Sequence, residues 1–372
     1  MSCVNKDILI INNNLDTGGV EIVLQALAAH LHKKGERVSI WASHGDRETI
    51  KAKYPPSTGF RRYPFWNVEA ARFSPKWFYS RISRVLFEKL LLRLKKWDVV
   101  VAFKEGEDMI LASKLRARRK VAWVHTDYAN FHWTPYLFEN DEAERLCMAG
   151  FDAVAAVSDA AAKGLRGAVG DPGNVFTVYN PINHHAIWEK AAREELSRPA
   201  DKTLLVTVGR LSEIKRFDML IDICNELSAE FPLELWIIGG GELEQELKDK
   251  LERENINCVR MFGKKSNPYP YIACADWLIS SSASESYALT VQEALILGVP
   301  VIASHCPAIE ETLPESCGII TAADKESLKA GVAAVLADGQ KAAVYRENIE
   351  KYYDKSSIWE ERLETMYRFI VG

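Results

Sequence analysis

Apolar positions fall along this chain in two kinds of block, short continuous runs and longer stretches with gaps of three and four. "DILIINN" (Asp7–Asn13) is of the first kind, suited to a buried parallel strand. In "VEIVLQALAAHLHKKGE" the residues Val20, Val23, Leu24, Leu27, Ala28 and Leu31 share one face of a helix. Gly35 ends that helix, and "RVSIWA" (Arg37–Ala42) is the next short run. "WDVVVAF" (Trp97–Phe103), "KVAWVH" (Lys120–His125) and "FDAVAAVS" (Phe151–Ser158) follow, each between helical or loop segments. Strands alternating with helices predict a doubly wound α/β domain.

The pattern breaks across Val178–Thr203, a polar stretch holding Pro181 and Pro199, and then restarts. "TLLVTVG", "LELWIIGG", "CVRMFG", "DWLISSS" and "VPVIAS" read as strands. "RFDMLIDICNELSAE", "GELEQELKDKLEREN" and "SLKAGVAAVLADG" read as helices. The chain therefore describes two Rossmann-like, doubly wound α/β domains facing across a cleft, over residues 1–182 and 203–350, joined by a linker at 183–202. Ligands of such domains sit at the carboxyl ends of the strands.

The length, 372 residues, agrees with two domains of about 100–200 residues each. The net charge of −4 excludes a general nucleic-acid binder, so no nucleic-acid partner is expected. The opening residues do not read as a signal peptide, and no run approaches the roughly 18 apolar residues of a spanning helix. Seven scattered cysteines without a Cys-x-x-Cys argue for reduced thiols and a cytoplasmic setting.

The residues with chemical potential lie where strands end. In "SASESYALTVQEALILGVPVIAS" (Ser282–Ser304) a helix begins near Ala288, leaving Glu285 in the preceding loop and Glu293 inside the helix. The unpaired N–H groups around Ala288, Leu289 and Thr290 suit a phosphate. Glu285 and Glu293 suit flanking hydroxyls, so the combination points to a nucleotide sugar. The plain alternative is a solvated acid at 285 and an ion-paired one at 293. In "VTVGRLSEIKRFDMLI" a strand ends at Gly209, and Arg210 and Lys215 offer a planar fork and a point charge to a diphosphate. A basic surface loop would look the same. Gly18 and Gly19 in "DTGGVE" permit close approach at a helix entry, but the G-x-G-x-x-G pattern of a dinucleotide site is absent. His125 ends a strand, either lining a site or serving as a structural histidine, with Asp127 as its substitute. There is no D-x-D, no H-E-x-x-H and no Walker loop, so no metal ligands and no cofactor are expected. Arg61–Trp97 is dense in basic and aromatic residues, which suits an anionic membrane surface or an amphipathic helix packed on the first domain.

These motifs, in this order over nearly the whole chain, resemble a family-4 retaining glycosyltransferase of the GT-B fold, of the bacterial envelope or capsular polysaccharide type. The resemblance is carried by Glu285 and Glu293 in "ESYALTVQEALILGVPVIAS", by "GRLSEIK", by "GGVE" and by "KSNPYPYIACADWLISSS". It implies that Arg210 and Lys215 hold the departing diphosphate, with the amides of Ala288–Thr290 and Gly19. It gives Glu293 the ribose, Glu285 the donor sugar, the backbone of Gly263 and Lys264 the base, and His125 a place beside the donor sugar. It implies a metal-independent hexosyl transfer from a nucleotide sugar, UDP by family habit, to a lipid-linked or other envelope glycan. It also implies a final helix, 351–372, crossing back to the first domain, and a cytoplasmic or peripheral inner-membrane location. A nucleotide-sugar epimerase or phosphorylase, or a non-catalytic nucleotide-sugar-binding protein, is the alternative. The family's Gly-Phe-Gly after the first glutamate is here Ser286-Tyr287-Ala288, which bears on donor-sugar identity.

Overall fold

The computed structural model describes residues 5–15, 18–44, 48, 52–62, 96–353 and 357–372. The stretch expected at a membrane, Arg61–Trp97, lies outside the described residues from 63 to 95, as do Asp16 and Thr17 of the glycine turn. The chain divides into two compact units, residues 1–181 with 360–372, and residues 182–359.

Among the described residues the first unit carries a parallel sheet of seven strands. They are β1 (Asp7–Ile11), β2 (Arg37–Ala42), β3 (Gly59–Arg62), β4 (Trp97–Ala102), β5 (Ala117–Val124), β6 (Ala153–Ala156) and β7 (Val175–Thr177). Their order, β3-β2-β1-β4-β5-β6-β7, reverses direction of growth between β1 and β4. Ile8–Ile11 and Val99–Ala102 are buried, as continuous apolar runs between two helical layers must be. The helix Gly19–Lys33 crosses from β1 to β2 and buries Val23, Leu24, Leu27, Ala28 and Leu31, the face that its spacing predicts. The last helix, Ser357–Val371, is tied to this sheet. Arg119 of β5 donates to the carbonyls of Phe369 and Ile370 (2.9 and 3.1 Å), and Lys6 Nζ to that of Val371 (2.7 Å).

The second unit holds six parallel strands among its described residues: β8 (Thr203–Val208), β9 (Leu233–Ile238), β10 (Val259–Met261), β11 (Trp277–Ser280), β12 (Val301–Ser304) and β13 (Gly318–Thr321). Their order is β10-β9-β8-β11-β12-β13, with the reversal between β8 and β11. Leu205, Leu235, Ile237, Ile279 and Ile302 of the sheet pack with Phe217, Leu220, Ile221 and Cys224 of the helix Phe217–Leu227. Both units thus have the parallel, switch-point topology of Rossmann-like domains.

Two stretches differ from their sequence reading. The expected linker, 183–202, opens with a helix, His184–Ala191, capped by Asn183 and packed within the second unit. Trp188 Nε1 of this helix donates to the Ile296 carbonyl (2.9 Å). A proline on either side of the segment hides that helix in the sequence. The terminal segment 351–372 is not one helix: Lys341–Tyr352 ends at its start and Ser357–Val371 begins afterwards, with only residues from Glu360 onward grouped with the first unit. Among the described residues no helix is long and apolar enough to cross a membrane.

Candidate active site

In the second unit, three loops leave the carboxyl ends of β8, β9 and β10 and are stitched together by their backbones. Gly209 N–H donates to Ile238, Leu211 N–H to Gly240, and Gly239 N–H to Gly263 (3.0, 3.2 and 3.0 Å). A methyl group on Gly239 would collide with the Gly209 carbonyl oxygen, so only glycine permits this approach. Gly263, at φ +66, turns the chain so that Lys264 lies beside Gly240. Arg210 emerges from this knot with its side chain exposed.

The chain then makes a single 3-10 turn, Glu213–Lys215, closed by Arg216 in the left-handed region (φ 50). The guanidinium of Arg216 donates to the Ala323 carbonyl (2.9 Å). That turn is pinned to the loop after β11: Ala283 N–H donates to Ile214 and Ser281 Oγ to Lys215, each at the carbonyl (2.8 and 2.7 Å). The pinning brings two sequence-predicted residues together. Lys215 Nζ lies 2.5 Å from Glu285 Oε1, and Ser282 Oγ donates to the same oxygen (2.7 Å). Both ionic side chains are largely but not wholly buried.

Tyr287 and Ala288 are buried, while Leu289 and Thr290 are half-buried at the start of the helix Leu289–Ile296. Ala288 caps that helix at φ 44, ψ 52. An L-residue in this left-handed conformation costs roughly 1 kcal/mol, a cost that glycine avoids. Glu293 sits one turn further in, and Tyr269 donates its hydroxyl to Glu293 Oε1 (3.1 Å). Burial raises the Glu293 carboxyl to about 7, against the opposing pulls of the Tyr269 hydrogen bond and the Lys190 charge. Glu293 is thus poised between its two protonation states at neutral pH, a property its position in the sequence does not reveal.

In the first unit, the predicted residues are held by the tetrapeptide Phe103-Lys104-Glu105-Gly106 after β4. Gly18 caps the helix Gly19–Lys33, and the buried Glu21 folds back beneath it, so that a side chain at Gly18 would strike the Glu21 carboxylate. Lys104 Nζ pairs with Glu21 Oε1 at 2.7 Å. Next along the chain, buried Glu105 gathers the loop after β5. It accepts from His125 N–H (2.9 Å), from the Thr126 hydroxyl and from Trp133 Nε1 (3.0 Å). The His125 ring packs against Phe103, the two centroids 5.2 Å apart and the planes tilted by 54°. Burial lowers the imidazole to about 4, with the Glu105 charge opposing and Lys104 assisting. His125 is neutral at physiological pH. Asp127 caps its own loop through Ala129 N–H and Asn130 Nδ2 (3.1 and 2.7 Å). Sequence reasoning missed Lys104 and Glu105, although a charged pair directly after a buried strand was a usable signal. Among the described residues no cluster of three or more His, Cys, Asp or Glu is placed to hold a metal ion.

Two family models match in tandem: "Glycosyltransferase Family 4" over residues 17–186 and "Glycosyl transferases group 1" over residues 189–352. The chain belongs to the family-4 glycosyltransferases. Its fold is GT-B. An uncharacterized glycosyltransferase of Methanocaldococcus jannaschii is 32% identical over 108 residues, 28% of this chain and 27% of the relative. The N-acetylgalactosamine-N,N'-diacetylbacillosaminyl-diphospho-undecaprenol 4-alpha-N-acetylgalactosaminyltransferase of Campylobacter jejuni is 27% identical over 194 residues, 50% of this chain and 52% of that one. The chain therefore spans about a quarter and about half of these two relatives' lengths. Anabaena HepE, solved in complex with UDP and glucose, superposes with a TM-score of 0.77 over 99% of this chain and 100% of its own. At 16% identity that likeness concerns the fold.

Proposed function

We propose that this family-4 glycosyltransferase moves a hexose or N-acetylhexosamine from a nucleotide sugar to a lipid-linked or other envelope glycan, with retention of anomeric configuration and without a metal. The observation that carries the reading is the Lys215–Glu285 pair, pinned beside exposed Arg210 at the strand ends of the second unit. A cation and a carboxylate held at one point suit a donor whose diphosphate and sugar hydroxyls meet there. Arg210 and Lys215 take the diphosphate and stabilise it as the anomeric carbon–oxygen bond breaks. The amides of Ala288, Leu289 and Thr290 add partial positive charge. Glu285 accepts from the donor-sugar hydroxyls and Glu293 from the ribose hydroxyls, while the backbone at Gly209, Gly263 and Lys264 and the residue Tyr287 frame the nucleotide. Gly18 and Gly19 of the first unit are assigned to the donor, with the Gly19 amide contributing to the diphosphate, and neutral His125 is assigned to the donor sugar from the acceptor side. The acceptor hydroxyl oxygen bonds to the same face of the anomeric carbon, and its proton passes to the leaving phosphate.

UDP as the nucleotide is supported by the complex of HepE with UDP and glucose. A lipid-linked acceptor is supported by the diphospho-undecaprenol substrate named for the Campylobacter relative. The test is thermal stabilisation by a panel of UDP-, GDP- and ADP-sugars. One donor raises the melting temperature by several degrees, and Arg210→Ala abolishes that rise. A rise that survives Arg210→Ala sinks the assignment of the diphosphate site.

A further inference from the structure

Tyr269 lies outside the residues that the family resemblance assigns, yet it touches one of them. It starts the short helix Tyr269–Ala273, is buried to 7% exposure, and stands between two prolines, Pro268 and Pro270. The prolines restrict the backbone that carries it. Its ring is held from the other side: Lys190 Nζ sits 5.7 Å from the ring centroid, and Asn267 Nδ2 ties the preceding loop to the Lys190 carbonyl (2.9 Å). The helix His184–Ala191, which carries Lys190, also grips the end of the Glu293 helix through Trp188 and the Ile296 carbonyl. The hydroxyl of Tyr269 and the carboxylate of Glu293 are therefore mounted on elements tied to one common helix.

We propose that Tyr269 is a positioning residue for the donor: its hydroxyl holds Glu293 Oε1, which turns Oε2 toward the vicinal hydroxyls of the nucleotide's ribose. This rests on the reading of Glu293 as the ribose-binding carboxylate. A carboxylate has about four acceptor sites, so one bond from Tyr269 leaves capacity for two ribose hydroxyls. Without that bond the carboxylate must be ordered at the moment of binding, and affinity falls. Two titratable groups face Glu293 among the described residues, Tyr269 from its own helix and Lys190 from the helix His184–Ala191, and both favour the ionised form. Removing the Tyr269 hydroxyl thus has a second consequence. The acidic limb of the donor-affinity profile moves to higher pH.

The experiment is equilibrium binding to the full chain of whichever nucleoside diphosphate binds among UDP, GDP and ADP, and of its 2',3'-dideoxy counterpart, across pH 5.5–8.5. Tyr269→Phe keeps the buried ring and removes only the hydroxyl. The expected result is about a five- to tenfold weaker affinity for the ribose nucleotide, the scale of one hydrogen bond, with the dideoxy nucleotide unaffected. The pH midpoint of ribose-nucleotide binding rises in the same variant. Glu293→Gln separates the two levels of the argument. If Glu293→Gln discriminates ribose from dideoxyribose as the parent does, or the parent does not discriminate, the ribose reading of Glu293 falls and the inference falls with it. If Glu293→Gln loses discrimination while Tyr269→Phe keeps it with an unmoved pH midpoint, the ribose reading stands and the role of Tyr269 is overturned. Equal losses for both nucleotides in Tyr269→Phe also overturn it, because they mark a structural defect.

Discussion

After β4 in the first unit, Lys104 and Glu105 are committed to internal partners: Glu21 beneath the glycine turn, and three donors of the loop after β5. After β8 in the second unit, Arg210 stands exposed, and the Lys215–Glu285 pair retains access to solvent. The two units share a topology and place charge at strand ends that flank the switch point, β4 in one and β8 in the other, but they use it differently. The buried carboxylates Glu21 and Glu105, bonded internally, fix the shape of loops, although Lys104 is itself as exposed as Lys215. Charge left at the surface of a rigid knot is available to a ligand. The difference teaches that His125 depends on Glu105, and Glu21 of the GGVE turn on Lys104, two neighbours that no motif contains.

The largest expected effect breaks this comparison directly. Glu105→Ala strands the His125 amide, the Thr126 hydroxyl and the Trp133 indole, and lowers stability by about 2–4 kcal/mol. Arg210→Ala removes an exposed side chain and changes stability by less than about 0.5 kcal/mol. Its turnover nevertheless falls about 10²- to 10³-fold, the scale for a lost transition-state contact. Chemical denaturation beside an activity assay reads both. A stable Glu105→Ala protein would refute the account of the first unit. An unstable Arg210→Ala protein would refute that of the second.

Next in size are two pH effects of opposite sign. His125 is depressed from 6.5 to about 4 by burial, with Glu105 opposing and Lys104 assisting. The native state resists the proton, so its contribution to stability is present above about 6.5 and lost as pH falls toward 4. Glu293 is raised from 4.5 to about 7, again by burial first, with Tyr269 and Lys190 opposing. Here the native state retains the proton, so stability is highest below 4.5 and lost as pH rises through 7. Each arm has a ceiling on the order of 3 kcal/mol, which solvent at the partly exposed edges of both groups reduces. Stability measured against pH in His125→Asn should flatten the acid arm, and in Glu293→Gln the neutral arm. Parent-like slopes in both variants would remove the electrostatic part of the comparison.

The sequence makes some of this legible and hides the rest for physical reasons. Buried strands announce themselves as runs such as Ile8–Ile11 and Leu204–Val206 because both of their faces meet apolar layers. β3 was not read because "GFRR" is an edge strand, open on one side and mostly exposed. The short helices Glu107–Lys114 and Asp141–Ala149 carry buried acids, Asp108 and Glu144, within the faces that should be apolar, which blurs their period. Arg210, Lys215 and Glu285 are candidates from the sequence because each follows a strand. Their meeting depends on the turn at Arg216 and the loop contacts of Ser281 and Ala283. Glu105 with His125, and Tyr269 with Glu293, are 20 and 24 residues apart, so their bonds exist only once two separate segments have been placed.

The smallest effect is the most pointed, because it sets one glycine position against one lost glycine position. Gly18 caps its helix in an extended conformation, φ −158, so backbone strain does not require glycine there. What a side chain there meets is the end of the Glu21 side chain folded beneath it. Gly18→Ala must therefore push Glu21 away from Lys104, with a loss of about 1 kcal/mol or more as a buried ion pair loosens. At Ala288 the reasoning inverts. The residue occupies φ 44 and is buried, so Ala288→Gly relieves a strain of roughly 1 kcal/mol and gives part of it back in unfolded-chain entropy. The expected net is a stabilisation of about 0.5 kcal/mol, while Ala288→Val, β-branched in the same conformation, destabilises by more than that. Denaturation midpoints of the three variants give the signs. Should Ala288→Gly destabilise, the methyl of Ala288 contributes more by packing against its buried surroundings than the left-handed backbone costs.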